Sequence, residues 1–245
     1  MNNLPHLAMF HHAGGNAAAL SHLAKTFASD FDVIQFEMPG RGRRRREPLV
    51  NDAAQIVDDF AALLPPREPI IFLGHSLGAY IAYLMAAYCR ASEPARQIML
   101  VVVANHPIHC RQQFSFLDSA QGPSEQLVRF ASQLGQLPDW LQQEPLLLEQ
   151  FLHVLAADLR VANSISPSDT APLRDIPLLA IHSTEDPLLQ EPPWRWQECT
   201  QQVFELVSIS GGHFISAQQG EKIREATLHF IQKYNLFKDN LRRQG

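Results

Sequence analysis

The sequence predicts an α/β protein with a mostly parallel central sheet, helices on both faces and a helical insertion. Three observations carry that prediction. Short apolar runs alternate with helix-periodic segments along most of the chain, the pattern left by parallel strands and their crossover helices. One apolar run, Ile70-Ile71-Phe72-Leu73, ends in Gly74-His75-Ser76-Leu77-Gly78 and passes straight into the helix-like run 79–87. The alternation then lapses over residues 108–172, where helical spacing occurs without a strand.

In chain order, the first strand is expected at 7–10 and a helix at 17–28, followed by a strand at 33–37 and a helix at 52–64. The run at 70–73 is the third strand and 77–89 its helix. The strongest apolar run, 98–104, is the fourth strand; it is far too short to cross a bilayer. Past it, Leu147, Leu148, Phe151, Leu152, Leu155 and Leu159 fall at helical spacing, and Phe114, Phe130 and Trp140 add apolar surface. A segment this long without a strand is unusual inside an α/β domain and is often functional, so 108–172 is expected to be a helical lid. Strands at 178–182 and 203–208 and helices at 194–200 and 222–234 complete the pattern, and the polar end, 238–245, is expected to fray. The 245 residues fit one α/β domain with an insertion.

Composition narrows the function classes. A net charge of −5 and a pI near 6.1 give no case for nucleic acid or a membrane surface. Three cysteines (Cys89, Cys110, Cys199) have no metal-ligand spacing and suggest free thiols in a reducing compartment. No signal peptide is visible. A cytoplasmic monomer is the expectation.

The strand, G-x-S-x-G and helix in succession resemble the nucleophile elbow of the α/β-hydrolase fold. The turn strains the serine backbone, and the glycines let strand and helix pass close together. A serine hydroxyl is a poor nucleophile at neutral pH and needs a base, which in turn needs an orienting acid. In this fold they follow in the order Ser, Asp/Glu, His. His213, in Ser210-Gly211-Gly212-His213-Phe214, stands after the last strand, where sites gather in open α/β sheets. Asp186, in Thr184-Glu185-Asp186-Pro187, stands after the strand before it, with Glu185 as the adjacent rival. The oxyanion hole needs two N–H donors. Leu77, next to the nucleophile, is one; the loop His11-His12-Ala13-Gly14-Gly15 supplies the other, for which Ala13 is the candidate.

Beyond the elbow, the chain resembles the type II (external, editing) thioesterases of non-ribosomal peptide and polyketide synthesis. Phe10-His11-His12-Ala13-Gly14-Gly15 is similar to the family's F-P-H-A-G-G, and Met38-Pro39-Gly40-Arg41-Gly42-Arg43-Arg44, with Glu47-Pro48, to its L-P-G-R-G-R-R and E-P. Gly74 to Gly78, Glu185-Asp186-Pro187 and Gly211-Gly212-His213-Phe214 match its elbow, acid and histidine loops. Leu155-Ala156-Ala157-Asp158 is a weaker match to L-R-A-D. Two positions depart from the pattern: His11 replaces proline, and Ala156 replaces arginine, which leaves a lid salt bridge at Asp158 open.

The resemblance implies a catalytic triad of Ser76, Asp186 and His213, with Ala13 and Leu77 as the oxyanion hole. It implies as substrate an acyl thioester on the phosphopantetheine arm of an acyl- or peptidyl-carrier protein, and no metal or organic cofactor. Arg41, Arg43, Arg44, Arg45 and Arg46 form a basic cluster in an acidic chain; it is either a docking patch for an acidic carrier or a solvated loop with local ion pairs. A small-molecule esterase would use the same machinery, and a binding protein without turnover would not need the triad.

Overall fold

Six strands, β1 (His6–Phe10), β2 (Asp32–Gln35), β3 (Ile70–His75), β4 (Ile98–Val103), β5 (Leu178–Ser183) and β6 (Phe204–Ile209), form one sheet in the order β2-β1-β3-β4-β5-β6. Every adjacent pair is parallel. The computed structural model describes residues 4–66, 68–118, 125–135 and 137–237; the polar end expected to fray lies outside them.

Alternation along the strands explains the layering. In β1, Leu7 and Met9 point to one face and Ala8 and Phe10 to the other, and Ile71/Leu73 against Ile70/Phe72 repeat the pattern in β3. The first face carries α1 (Ser21–Phe27) and α7 (Ala217–Lys233), through Leu23, Phe27, Ile223 and Phe230. The second carries α2 (Ala53–Ala61) and α3 (Leu77–Ser92), through Ile56, Phe60, Tyr83 and Met85. Both faces are covered, so β3 and β4 are buried along their whole length, which is why they read as unbroken apolar runs.

Between β4 and β5 the chain leaves the sheet. It forms α4 (Glu125–Gln133), α5 (Asp139–Gln142) and α6 (Pro145–Ser164), with 3-10 turns at Ile108–Cys110, Ser115–Asp118 and Pro167–Thr170. Leu152, Leu155 and Leu159 of α6 pack into the α3 side of the core, while Leu146 at its start is 74% exposed.

Three helices differ from expectation. The first begins as a 3-10 turn, Ala17–Leu20, before α1. The stretch expected as a helix at 194–200 is a 3-10 helix, Pro193–Cys199, entered through Pro192-Pro193. The last begins at Ala217 rather than 222, because Ser216 and Gln219 make a capping box that starts it earlier.

The strand order places the site. Chain direction across the sheet reverses between β1 and β3, which lie side by side with Phe10 opposite Gly74. Ligand sites in open α/β sheets lie outside the carboxyl ends of strands at such a point. Here the loop after β1 and the elbow after β3 meet.

Candidate active site

Ser76 stands between β3 and α3 with φ 54° and ψ −123°, a region that side-chain-bearing residues avoid. A Cβ on Gly74 would lie 1.9 Å from the Gly78 carbonyl oxygen, and one on Gly78 would lie 2.1 Å from the Phe10 carbonyl oxygen. Only a hydrogen fits at either place, so the glycines are what lets β1, β3 and α3 converge. Two hydrogen bonds brace the strained residue. The Ser76 N–H donates to the Val103 carbonyl at 2.9 Å, and Asn105 Nδ2 donates to the Ser76 carbonyl at 2.7 Å.

His213 reaches Ser76 from the loop between β6 and α7. Its Nε2 lies 3.0 Å from Ser76 Oγ and its Nδ1 2.7 Å from Asp186 Oδ2. The Asp186 side chain is fully buried, and its other oxygen accepts the Leu188 N–H at 3.0 Å. Nδ1–H donating to the carboxylate leaves Nε2 as the acceptor facing the serine hydroxyl. The three residues anticipated from chain order are therefore in line. Glu185, the rival acid, is exposed; its backbone N–H donates to the Gly211 carbonyl at 3.0 Å and links the acid loop to the histidine loop.

Sequence reasoning missed two residues that hold this loop. His75 Nε2–H donates to the His213 carbonyl at 2.7 Å. Burial pushes the His75 imidazole well below the usual histidine range, so it stays neutral and keeps one donor. Gln219 donates to Ser183 Oγ at 3.1 Å and to the Gly212 carbonyl at 3.4 Å, and accepts the Ser216 N–H at 2.9 Å. The capping box Ser216-x-x-Gln219 was the available signal for Gln219. His75 had none beyond its place inside the elbow.

On the opposite side of Ser76, the Gly15 N–H donates to the His12 carbonyl at 3.1 Å and Gly14 has φ 74°, which makes His12–Gly15 a type II turn. Ala13 of that turn and Leu77 of α3 line one cavity with Ser76. Burial pushes His11 down to about 4 and also lowers His12. Both rings are neutral, and each Nδ1–H donates to a turn carbonyl: His11 to His12 at 2.9 Å and His12 to Ala13 at 3.0 Å.

The salt bridge left open at Asp158 is present, with a distant partner. Arg41 binds Asp158 through both guanidinium nitrogens, Nη1 to Oδ2 at 2.5 Å and Nη2 to Oδ1 at 2.6 Å, with both side chains buried. This corrects the reading of Arg41 as part of an exposed cluster. Arg44 is also engaged, with Glu47 and Asp59. Arg43, Arg45 and Arg46 are exposed.

The cavity at Ser76 runs beneath α4 and α6. Phe114, Phe130, Leu134 and Leu159 make its apolar wall, and Asn105 and His106 lie among its polar groups. A serine, a histidine and a carboxylate in line, beside an apolar chamber, suit attack on a carbonyl carbon that carries an apolar group. Cys89 and Cys199 are buried free thiols, and burial pushes Cys199 up to about 12. Among the described residues no group of three or more His, Cys, Asp or Glu could hold a metal ion, and no helix is long and apolar enough to cross a membrane.

Comparison with known proteins places residues 5–234 in the thioesterase domain family model. The gramicidin S biosynthesis protein GrsT of Aneurinibacillus migulanus is 28% identical over 208 residues, covering 83% of this chain and 79% of GrsT. The human medium-chain S-acyl fatty acid synthase thioesterase is 25% identical over 201 residues, covering 79% of this chain and 75% of that protein. The structure of BorB, a type II thioesterase from the borrelidin biosynthetic cluster, superposes with a TM-score of 0.69 at 25% identity, covering 99% of this chain and 93% of BorB.

Proposed function

This chain belongs to the thioesterase domain family, and from that premise we propose that it is a type II thioesterase that clears acyl groups from carrier proteins in peptide or polyketide synthesis. The observation that carries the proposal is the Ser76–His213–Asp186 line at the elbow, in a chain whose family hydrolyses acyl thioesters. GrsT and BorB, both from biosynthetic pathways of this kind, support the pathway class.

The proposed reaction uses each group once. His213 Nε2 takes the Ser76 proton while Oγ attacks the thioester carbonyl. Asp186 holds the imidazole tautomer and stabilises the imidazolium. The N–H groups of Ala13 and Leu77 receive the oxyanion. Such donors count for most where they are fixed in advance and water is excluded. His213 then gives its proton to the departing pantetheine thiol. Water, activated by the same imidazole, releases the acid and frees the serine. No metal or organic cofactor takes part.

The segment 108–172 is assigned as the lid. Support comes from Phe114, Phe130, Leu134 and Leu159, which it lends to the chamber wall. The partner is an acyl- or peptidyl-carrier protein. Arg45 and Arg46, exposed where Arg41 and Arg44 are not, are the docking cations for its acidic surface. The cytoplasm is the compartment that fits three free thiols.

The test is hydrolysis of one acyl group offered in two linkages, as a phosphopantetheine thioester on a carrier protein and as an oxygen ester of similar size. The proposal expects faster turnover of the carrier thioester. A preference for the oxygen ester contradicts it.

A further inference from the structure

The turn that carries Ala13 is gripped from outside. Its central peptide, Ala13–Gly14, is pinned at both ends: the Ala13 carbonyl accepts from His12 Nδ1 at 3.0 Å, and the Gly14 N–H donates to Asp158 Oδ2 at 2.7 Å. Arg41 Nη1 donates to the Gly15 carbonyl at 3.3 Å and also binds Asp158. Without the bonds to Asp158 and Arg41 the turn is free to shift as a body, carrying the Ala13 N–H with it.

We propose that Asp158 and Arg41 are positioning residues for the oxyanion hole, anchoring the turn His12–Gly15 to α6 so that the turn, and with it the Ala13 N–H, keeps its place beside Ser76. The inference rests on the reading of Ala13 as an oxyanion donor. Asp158 lies on α6, 144 residues along the chain from Gly14, so the excursion contributes a group to the site as well as a wall. A fold-stabilising role alone does not account for the arrangement. Replacing a buried ion pair by apolar residues of similar volume is often neutral or stabilising, whereas removing one partner strands the other charge. What an apolar pair cannot supply is the acceptor for Gly14 and the donor for Gly15.

That difference defines the experiment. Asp158→Leu, Asp158→Asn and the double variant Arg41→Met/Asp158→Leu are compared with the wild-type chain. Three quantities are read: the urea unfolding midpoint, the rate of Ser76 labelling by a fluorophosphonate, and kcat and KM on an acyl-pantetheine thioester. Asp158→Leu should lower the midpoint strongly. The double variant should regain the midpoint, yet label Ser76 and turn over about 10- to 100-fold more slowly, below the roughly 10²- to 10³-fold loss for a donor removed outright because here the donor is displaced and not deleted, with KM nearly unchanged. A double variant that regains midpoint, labelling rate and kcat together overturns the proposal.

Asp158→Asn covers the case in which the double variant does not fold. Where the carboxylate takes the Gly14 N–H and Arg41 Nη1 on Oδ2 and Arg41 Nη2 on Oδ1, the amide puts a donating NH2 in place of one oxygen, so a donor faces either Gly14 or Arg41 and the grip on the turn is lost; a folded Asp158→Asn that labels at the wild-type rate also overturns the proposal. Labelling needs only an active serine and its hole. A wild-type chain that labels quickly but hydrolyses no thioester therefore defeats the substrate reading, while the positioning role is still decided by the variants.

Discussion

Acid should destabilise this protein through His11, and the size of the effect follows from its burial. His11 is 2% exposed, and burial is the largest influence holding its imidazole down at about 4 against an ordinary value of 6.5. Asp158 opposes that effect, Arg41 and His12 add to it, and Glu37 Oε1 lies 3.9 Å from Nε2. Unfolded chains protonate His11 below 6.5 and folded ones only below about 4, so stability is complete above 6.5 and is lost as the pH falls through that window. A gap of about 2.5 pH units at about 1.4 kcal/mol each is worth about 3 kcal/mol, of which about 2 kcal/mol is gone by pH 5. In a domain of this size that corresponds to about 4–8 °C in Tm. His12, His75 and His106 are also held down by burial, so the wild-type fall exceeds this. His11→Asn isolates the one residue: its amide can still donate to the His12 carbonyl but does not titrate. The assay is the urea midpoint or Tm of both proteins at pH 7 and pH 5. The variant should lose about 2 kcal/mol less than wild type; equal losses would refute the assignment of His11 as a buried neutral imidazole.

Four further outcomes follow from the geometry. Asp186→Asn should lower kcat by about 10⁴-fold through the wrong imidazole tautomer, while Glu185→Gln should leave kcat near wild type; steady-state kinetics on both variants checks this. Gly78→Ala drives a Cβ against the backbone oxygen of Phe10, which has no free rotor to move aside, so its urea midpoint should fall by the equivalent of about 3 kcal/mol or more. Arg45→Glu with Arg46→Glu should raise KM for carrier-bound substrate, most at low salt, and leave a small acyl thioester unaffected. Arg44→Glu should instead lower the unfolding midpoint, because Arg44 is bound to Asp59.

Much of this could be read from the residues, and the parts that could not share a cause. All six strands are legible because each is built around a short apolar stretch, continuous in β3 and β4, bounded by polar residues in the edge strand β2 and interrupted by them in the edge strand β6. The Ser76–Asp186–His213 set was legible because chain order and loop position identify it without knowledge of contacts. Asp158 was not. Its partner is 117 residues away, and the local motif, with Ala156 in place of arginine, leaves a bridge open. Nothing in Arg41-Gly42-Arg43-Arg44 marks one cation as buried, so the sequence groups Arg41 with its basic neighbours. Apolar periodicity is weak in Gln218-Gln219-Gly220-Glu221, so periodicity starts the last helix late, and only the cap at Ser216 marks its true start at Ala217.

In the proposed reaction Ser76 carries the acyl group from a carrier thioester to water. The direct measurement is intact mass of both proteins after brief mixing with an acyl-phosphopantetheinyl carrier, followed by mapping of the peptide that spans Gly74–Gly78. The carrier should lose the acyl mass, the acyl group should appear transiently on Ser76, and Ser76→Ala should abolish both while the fold survives. Unloading that persists in Ser76→Ala, or an acyl group found on another residue, would contradict it.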